Sequence, residues 1–98
     1  MLLHALSEAE LFRLGCLVAT PQALGTLARH GVAPFALLKR HASGDWGDVP
    51  SDDAKANHMA LQSGSRLLSA YRIENDVRIW IITEADRSAT TILLPSDY

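Results

Sequence analysis

One cysteine, Cys16, stands among the 98 residues. No internal disulfide can form, and a reducing cytoplasm is the compartment this implies. The chain has no basic surplus: nine lysines and arginines against eleven acids leave a net charge of −2. A dedicated phosphate-backbone binder usually carries the opposite balance, so DNA is disfavoured as a partner, while a local basic patch keeps RNA in view. No run approaches the roughly 20 apolar residues that cross a bilayer, so no membrane partner is expected. The first residues, MLLHALSEAELFRLG, lack a basic n-region and meet acids at Glu8 and Glu10, which argues against a signal peptide. There is no P-loop, no dinucleotide fingerprint and no G-x-S-x-G elbow, and no cofactor is expected.

What remains is an ordinary globular composition, 48% hydrophobic and 20% charged. It predicts one domain over residues 1–98, long enough to fold around a core without metals or disulfides. Residues 1–13 read as an N-terminal extension, with Ser7-Glu8-Ala9-Glu10 as a capping box that starts a short helix through Phe12 or Arg13. Cys16–Ala19 is a brief apolar strand, and Cys16 within it reads as a small core hydrophobe.

Residues 20–63 form the helical part. Thr20-Pro21 opens a helix with Leu24, Leu27 and Ala28 at helical spacing and Gly31 as its stop. Pro34 opens a second, with Phe35, Leu37 and Leu38 as its apolar face and Lys39, Arg40 and His41 in its last turn, where cations suit the dipole. Ser51-Asp52-Asp53 opens a third as cap and acidic first turn. Ala56, Met59, Ala60 and Leu61 form its buried stripe, and Gly64 closes it.

Residues 66–95 read as a β-meander. The strands are 66–73, 77–83 and 89–94, joined by Glu74-Asn75-Asp76 and Ala85-Asp86-Arg87-Ser88. The fold class is therefore α+β: N-terminal helices packed on one face of a three- to four-stranded antiparallel sheet, with Cys16–Ala19 as the optional fourth strand. The pleat places Val77, Ile79, Ile81 and Thr83 on the helix-facing side. Arg78, Trp80, Ile82 and Glu84 share the other side, which is either packed under a loop or a partner surface. Open sheet edges make self-association an expected partner mode.

Three constellations could carry chemistry. In "HASGDWGD", His41, Asp45 and Asp48, with Asp52 and Asp53 beyond, are ligand types for Mg²⁺, Mn²⁺ or Zn²⁺, but they match no metal signature. The stretch reads more simply as a structured connector, with Trp46 plugging the core edge, His41 against helix-end carbonyls and Asp48 as a cap or Asx-turn; no metal is assigned. "TEADRS" sets Glu84, Asp86 and Arg87 on a turn, either a solvated hairpin or one wall of a cleft. With Arg66, Arg72 or Arg78 nearby, such a cleft would hold phosphate, and His41 or Glu84 would serve as acid or base. If the protein is an enzyme, its catalytic set is His41, Arg66, Glu84 and Arg87. If it is a binding module, the contact residues are Asp45, Trp46, Asp48, Trp80, Asp86 and Arg87.

The segments "ATPQAL", "HASGDWGDV", "GSRLLSAY" and "IWIITEADRSATTILLPSDY" resemble a family of small bacterial proteins of about this length. They are carried on plasmids and integrative elements, are often called plasmid-related proteins and are sometimes labelled a type I restriction subunit. The resemblance runs from Leu14 to Tyr98, with Ser43–Asp48 and Ile79–Pro95 its most specific parts. It implies a mobile-element setting and carries no catalytic residue. The restriction label does not suit this chain, because a methyltransferase subunit needs a glycine-rich βαβ domain that is missing here. The order of helices, arginines and strands is also similar to the layout of barnase-type and RelE-type ribonucleases. That likeness implies Arg66 and Arg72 on phosphate, with Glu84 or His41 as base or acid, but no histidine follows Ala85. The expected function is a cytoplasmic protein-interaction module. A toxin-like endoribonuclease is the alternative, and a metal-dependent hydrolase at His41, Asp45 and Asp48 a second one.

Overall fold

The computed structural model describes residues 10–98. Ser7–Ala9 of the expected first helix lie outside these residues, and from Glu10 to Arg13 the chain bends without becoming helical. The elements then run β1 (Cys16–Ala19), α1 (Pro21–Arg29), α2 (Pro34–Ala42), α3 (Ser51–Ser63), β2 (Leu67–Glu74), β3 (Val77–Thr83), β4 (Ala89–Leu93) and a 3₁₀ turn, Pro95–Asp97. This is an α+β architecture with its helices N-terminal to the main strands.

The sheet has four strands in the order β1-β4-β3-β2. β2–β3 and β3–β4 are antiparallel, as the short turns demand. β1 is parallel to β4, with Cys16 beside Ala89 and Ala19 beside Ile92, so the sheet is mixed and the wholly antiparallel expectation fails at this strand. The reason is the crossover: three helices return the chain to the end of the sheet where β1 started, so β2, and β4 after it, run in the direction of β1. As the outermost strand, β1 leaves Cys16 exposed, and the expectation of a core cysteine fails with it.

The helices begin and end largely where local chemistry requires. Thr20 Oγ1 accepts from the Ala23 amide at 3.1 Å, and Pro21 takes the first helical position. Gly64 closes α3 at φ +79°, in the left-handed region that favours glycine. Two details differ. Pro50, not Ser51, is the cap of α3, and no side chain caps that helix. The buried stripe of α3 holds Asn57 and Ala60, while Met59 is 72% exposed. Asn57 faces inward because its amide pairs with β2: Nδ2 donates to Leu68 O at 2.7 Å and Oδ1 accepts from Leu68 N at 3.1 Å. Phe35 of α2 also points outward, leaving Leu37, Leu38, His41 and Ala42 as the buried face.

Two apolar clusters fill the space between helices and sheet. Ala23, Leu27, Leu37 and Leu38 meet Tyr71, Ile79, Ile81 and Ile92 in one; Trp46, Ala60 and Leu67 form the other, with Phe12 and Val49 against them. Each fully buried large apolar side chain contributes roughly 1.5–3 kcal/mol. The inward alternation of β3, with Ile79, Ile81 and Thr83 fully buried, follows the pleat read from the sequence.

"HASGDWGD" is a strap along the outer edge of β2. Ala70 N donates to Trp46 O (3.1 Å), Asp48 N donates to Ala70 O (2.6 Å), and Gly47 forms a parallel bridge with Ala70. Arg72 N donates to Asp48 Oδ2 (2.8 Å), so Asp48 pairs with a strand and is neither a cap nor an Asx-turn. Tyr71 donates its hydroxyl proton to Asp45 O (2.6 Å). Gly47 sits at φ +75°, and any Cβ there would run into Ala70 O and the Tyr71 ring.

Candidate functional site

The side chains of the sheet's second face point away from the helix layer. β2 contributes Leu68, Ala70 and Arg72; β3 contributes Arg78, Trp80 and Ile82; β4 contributes Thr91 and Leu93; β1 contributes Val18. The register puts Trp80 between Ala70 and Leu93, and Ile82 between Leu68 and Thr91. The helix residues of both core clusters lie on the other side, and the 3₁₀ turn brings Tyr98 back against this face. Tyr98 meets Trp80 edge-on, with ring centroids 5.8 Å apart and planes at 63°. Trp80 is half-buried, with Tyr98 covering one flank, and its neighbours on this face, Ala70, Ile82 and Leu93, are buried.

Beside this pair is a cleft of about 240 Å³ lined by Arg66, Leu67, Leu68, Trp80, Ile82 and Tyr98. Arg66 Nη1 donates to the Tyr98 hydroxyl at 3.2 Å, and Arg66 Nε lies 3.6 Å from Glu84 Oε1. The Tyr98 contact first, and Glu84 after it, raises the Arg66 pKa further above its ordinary value. An apolar floor thus carries an ion pair of both signs at its rim. Arg72 and Arg78 are direct cross-strand partners at the other end of the same face, and both are exposed.

The remaining expected site residues are turned inward or bound to their own chain. His41 is completely buried. Its Nδ1 lies 2.6 Å from Ser69 Oγ and its Nε2 lies 2.9 Å from Thr83 Oγ1. Thr83 Oγ1 in turn lies 2.7 Å from Thr90 Oγ1, and Thr90 donates to Leu14 O at 2.7 Å. That terminal carbonyl orients the whole chain. A carbonyl only accepts, so Thr90 donates to it, Thr83 donates to Thr90, and His41 Nε2–H donates to Thr83. Nδ1 is left as acceptor for the Ser69 hydroxyl. The imidazole is neutral, and burial lowers its pKa from 6.5 to about 4. His41 therefore neither faces helix-end carbonyls nor reaches a substrate. It joins the two apolar clusters through a fully satisfied polar seam.

Asp45 is held by Arg40, with Nε to Oδ2 at 2.7 Å and Nη2 to Oδ1 at 3.3 Å, and this contact depresses its pKa. With Asp48 on the Arg72 amide, the carboxylates of the strap face their own chain. No group of three metal-ligating side chains occurs among the described residues. Trp46 is buried, as expected, stacked on Phe12 (6.1 Å, 22°) and meeting His41 and His58 edge-on. Its Nε1 has no hydrogen-bond partner among the described residues.

Arg87 corrects the expectation of a phosphate clamp or contact residue. Its guanidinium donates to Ser65 O (2.6 Å), Ala60 O (2.9 Å), Glu84 O and Ala85 O (both 3.1 Å). It staples the last turn of α3 and the connection between α3 and β2 to the β3–β4 hairpin. Asp86 accepts from the Ser88 amide within that hairpin. Of the expected catalytic set, only Arg66 and Glu84 come together on an open surface.

Sequence reasoning missed Tyr98, which follows the strand-ending Pro95 and carries no local signal. It also missed the hydroxyl partners of His41. A signal for those was present: Ser69, Thr83 and Thr90 occupy inward positions of three neighbouring strands.

No protein-family model matches the chain, and neither a curated protein nor a solved structure matches it. No helix among the described residues is long and apolar enough to cross a membrane.

Proposed function

We propose that the protein is a cytoplasmic interaction module that binds a protein partner through the sheet face around Trp80. The observation that carries this reading is the apolar cleft beside Trp80 and Tyr98, with Arg66 and Glu84 at its rim. Aromatic and arginine side chains around a partly desolvated apolar centre, with charges outside it, are what protein–protein hot spots use. A cleft of about 240 Å³ suits one or two partner side chains rather than an extended substrate. The mobile-element setting implied by the family resemblance would make a host protein the natural partner.

The test is affinity capture with immobilised protein, run in parallel with Trp80→Ala. A true partner binds the native protein and loses roughly 30-fold in affinity to the variant, as for a hot-spot residue worth about 2 kcal/mol. Equal binding by both proteins would sink the reading.

One observation favours a second reading, in which the partner is RNA. Arg66, Arg72 and Arg78 share the face that carries Trp80, and an aromatic, basic sheet face is a stacking platform for single strands. Salt-sensitive binding of a single-stranded oligoribonucleotide, lost in Arg72→Ala, would move the assignment there. The endoribonuclease form keeps only Arg66 beside Glu84, since His41 is sealed in the core and Arg87 holds backbone carbonyls. Growth arrest on expression, relieved by Arg66→Ala, would revive it.

A further inference from the structure

The two edges of the sheet are treated differently. Along β2 every outward backbone group at Leu68 and Ala70, and the Arg72 amide, has a partner: the Asn57 amide, the Trp46–Asp48 backbone and the Asp48 carboxylate. β1 ends the sheet on the other side, and no described strand pairs beyond it. Cys16 N donates to Ser88 O and Thr20 N to Ile92 O, so Cys16, Val18 and Thr20 turn their backbone toward β4. Leu17 and Ala19 present theirs outward.

Beyond its shortness of four residues, this edge carries no lysine, bulge or inward charge to blunt it. From Leu14 to Ala28 no residue is charged, in a chain that is 20% charged. Seven large hydrophobic side chains stand exposed among the described residues, and three of them, Leu17 (54%), Val18 (46%) and Leu24 (45%), fall within this one uncharged stretch.

We infer that the β1 edge, with the outer face of α1, is the contact surface for a second copy of this chain. β1 pairs antiparallel with its counterpart across a two-fold axis at Val18. A neutral surface meets itself about a two-fold without like-charge repulsion, and an isologous contact asks only that the patch be self-complementary. The register follows from the outward groups. Leu17 opposite the partner's Ala19, repeated by symmetry, uses all the outward N–H and C=O groups of both strands in four hydrogen bonds. A one-step shift to Leu17 opposite its own counterpart brings Gly15, at φ +69°, into the ladder, and a shift the other way meets Pro21, which has no N–H. The central register also sets the large Leu17 against the small Ala19. A four-residue strand pair is smaller than the ~1,200 Å² that stable interfaces bury, so α1 shares the contact. Its exposed Leu24 supplies apolar area, and Gly25 and Ala28 let the two helices come close. The product is a continuous eight-stranded sheet. This inference is independent of the Trp80 reading.

The experiment is sedimentation over a concentration series, with the full chain and with Val18→Lys. The native protein sediments as a dimer and the variant as a monomer with unchanged circular dichroism. The register is tested in a Cys16→Ser background by Val18→Cys. A non-hydrogen-bonded antiparallel pair places Cα atoms about 4.5 Å apart, within disulfide reach. Mild oxidation therefore gives a covalent dimer, whereas the native Cys16, two positions from the axis, gives none. A native protein that stays monomeric at every concentration, a Val18→Lys dimer, or cross-linking through Cys16 but not through position 18 each overturns the inference. Trp80→Ala leaves the dimer intact, so failure of this proposal and failure of partner binding at Trp80 are read separately.

Discussion

Acid should destabilise this protein through His41 before it does so through any carboxylate. Unfolded, the imidazole takes up a proton below about 6.5; folded, it stays neutral down to about 4, because it is sealed between Phe12, Trp46 and the hydroxyls of Ser69 and Thr83. Between these values the unfolded state holds one more proton, and stability falls as pH falls. At roughly 1.4 kcal/mol per pH unit, the interval amounts to about 3 kcal/mol. Above 6.5 the contribution is fully present, and below about 4 nothing further is lost through this group. A domain of this size holds on the order of 5–15 kcal/mol in all, so the effect is large. Asp45, whose pKa is depressed by Arg40, acts in a separate and lower window, below the ordinary carboxylate value.

The assay is urea unfolding followed by tryptophan fluorescence from pH 7.5 to 4.0, on the native protein and on His41→Gln. Glutamine keeps one donor and one acceptor in the seam but does not titrate. The variant starts about 1–2 kcal/mol less stable at pH 7.5. It then loses far less on acidification, so the two curves cross between about pH 5 and 6 and the variant is the more stable protein at pH 4. A ¹⁵N spectrum of the imidazole in the native protein shows the Nε2–H tautomer with a midpoint near 4. Parallel pH profiles for the two proteins, or a His41 midpoint near 6.5, would refute the argument.

Two further outcomes follow from the staples. Arg87→Ala removes charge-assisted bonds to Ser65 O and Ala60 O and lowers stability by roughly 2 kcal/mol in urea unfolding, while leaving partner affinity within about twofold. A loss of binding without a loss of stability would return Arg87 to the contact surface. Gly47→Ala combines a left-handed backbone with a clash against Ala70 O and the Tyr71 ring, and costs more than about 2 kcal/mol. Hydrogen exchange at the Ala70 and Arg72 amides accelerates with it, and unchanged protection there would show that the strap does not seal the β2 edge.

The periodic parts of this fold were legible because side-chain spacing and local caps determine them. Thr20-Pro21, Gly64 and the alternation Ile79–Ile81–Thr83 each act within a few residues. The direction of β1 was not legible, since it depends on how three helices bring the chain back and on nothing within Cys16–Ala19. The polar positions were misjudged for a related reason. His41 at a helix C-terminus satisfies a local rule about cations and dipoles, yet Ser69, Thr83 and Thr90 offer it a buried chain of partners from distant strands. Asn57 and Asp48 likewise look like surface residues until the β2 edge needs hydrogen bonds. Of the candidate site, Trp80, Arg66 and Glu84 were visible as one face and its neighbours. The cleft itself depends on Tyr98, which reaches Trp80 through a turn that no periodicity announces.

The parallel pairing of β1 with β4 has a consequence for how the molecule comes into being. Leu14, just ahead of β1, is held by a threonine 76 positions further along the chain. β1 can find its place only after β4 has been synthesised. Contacts of this span close slowly, because a long loop must be ordered before they form. Until then the uncharged strand waits with both edges open, the state in which nascent chains are most exposed to mispairing. A circular permutation that opens the chain ahead of Thr20 and joins the old termini would place Cys16–Ala19 after β4 through the long crossover that a parallel pair needs. It would shorten that wait and should speed folding while leaving the sheet order as it is.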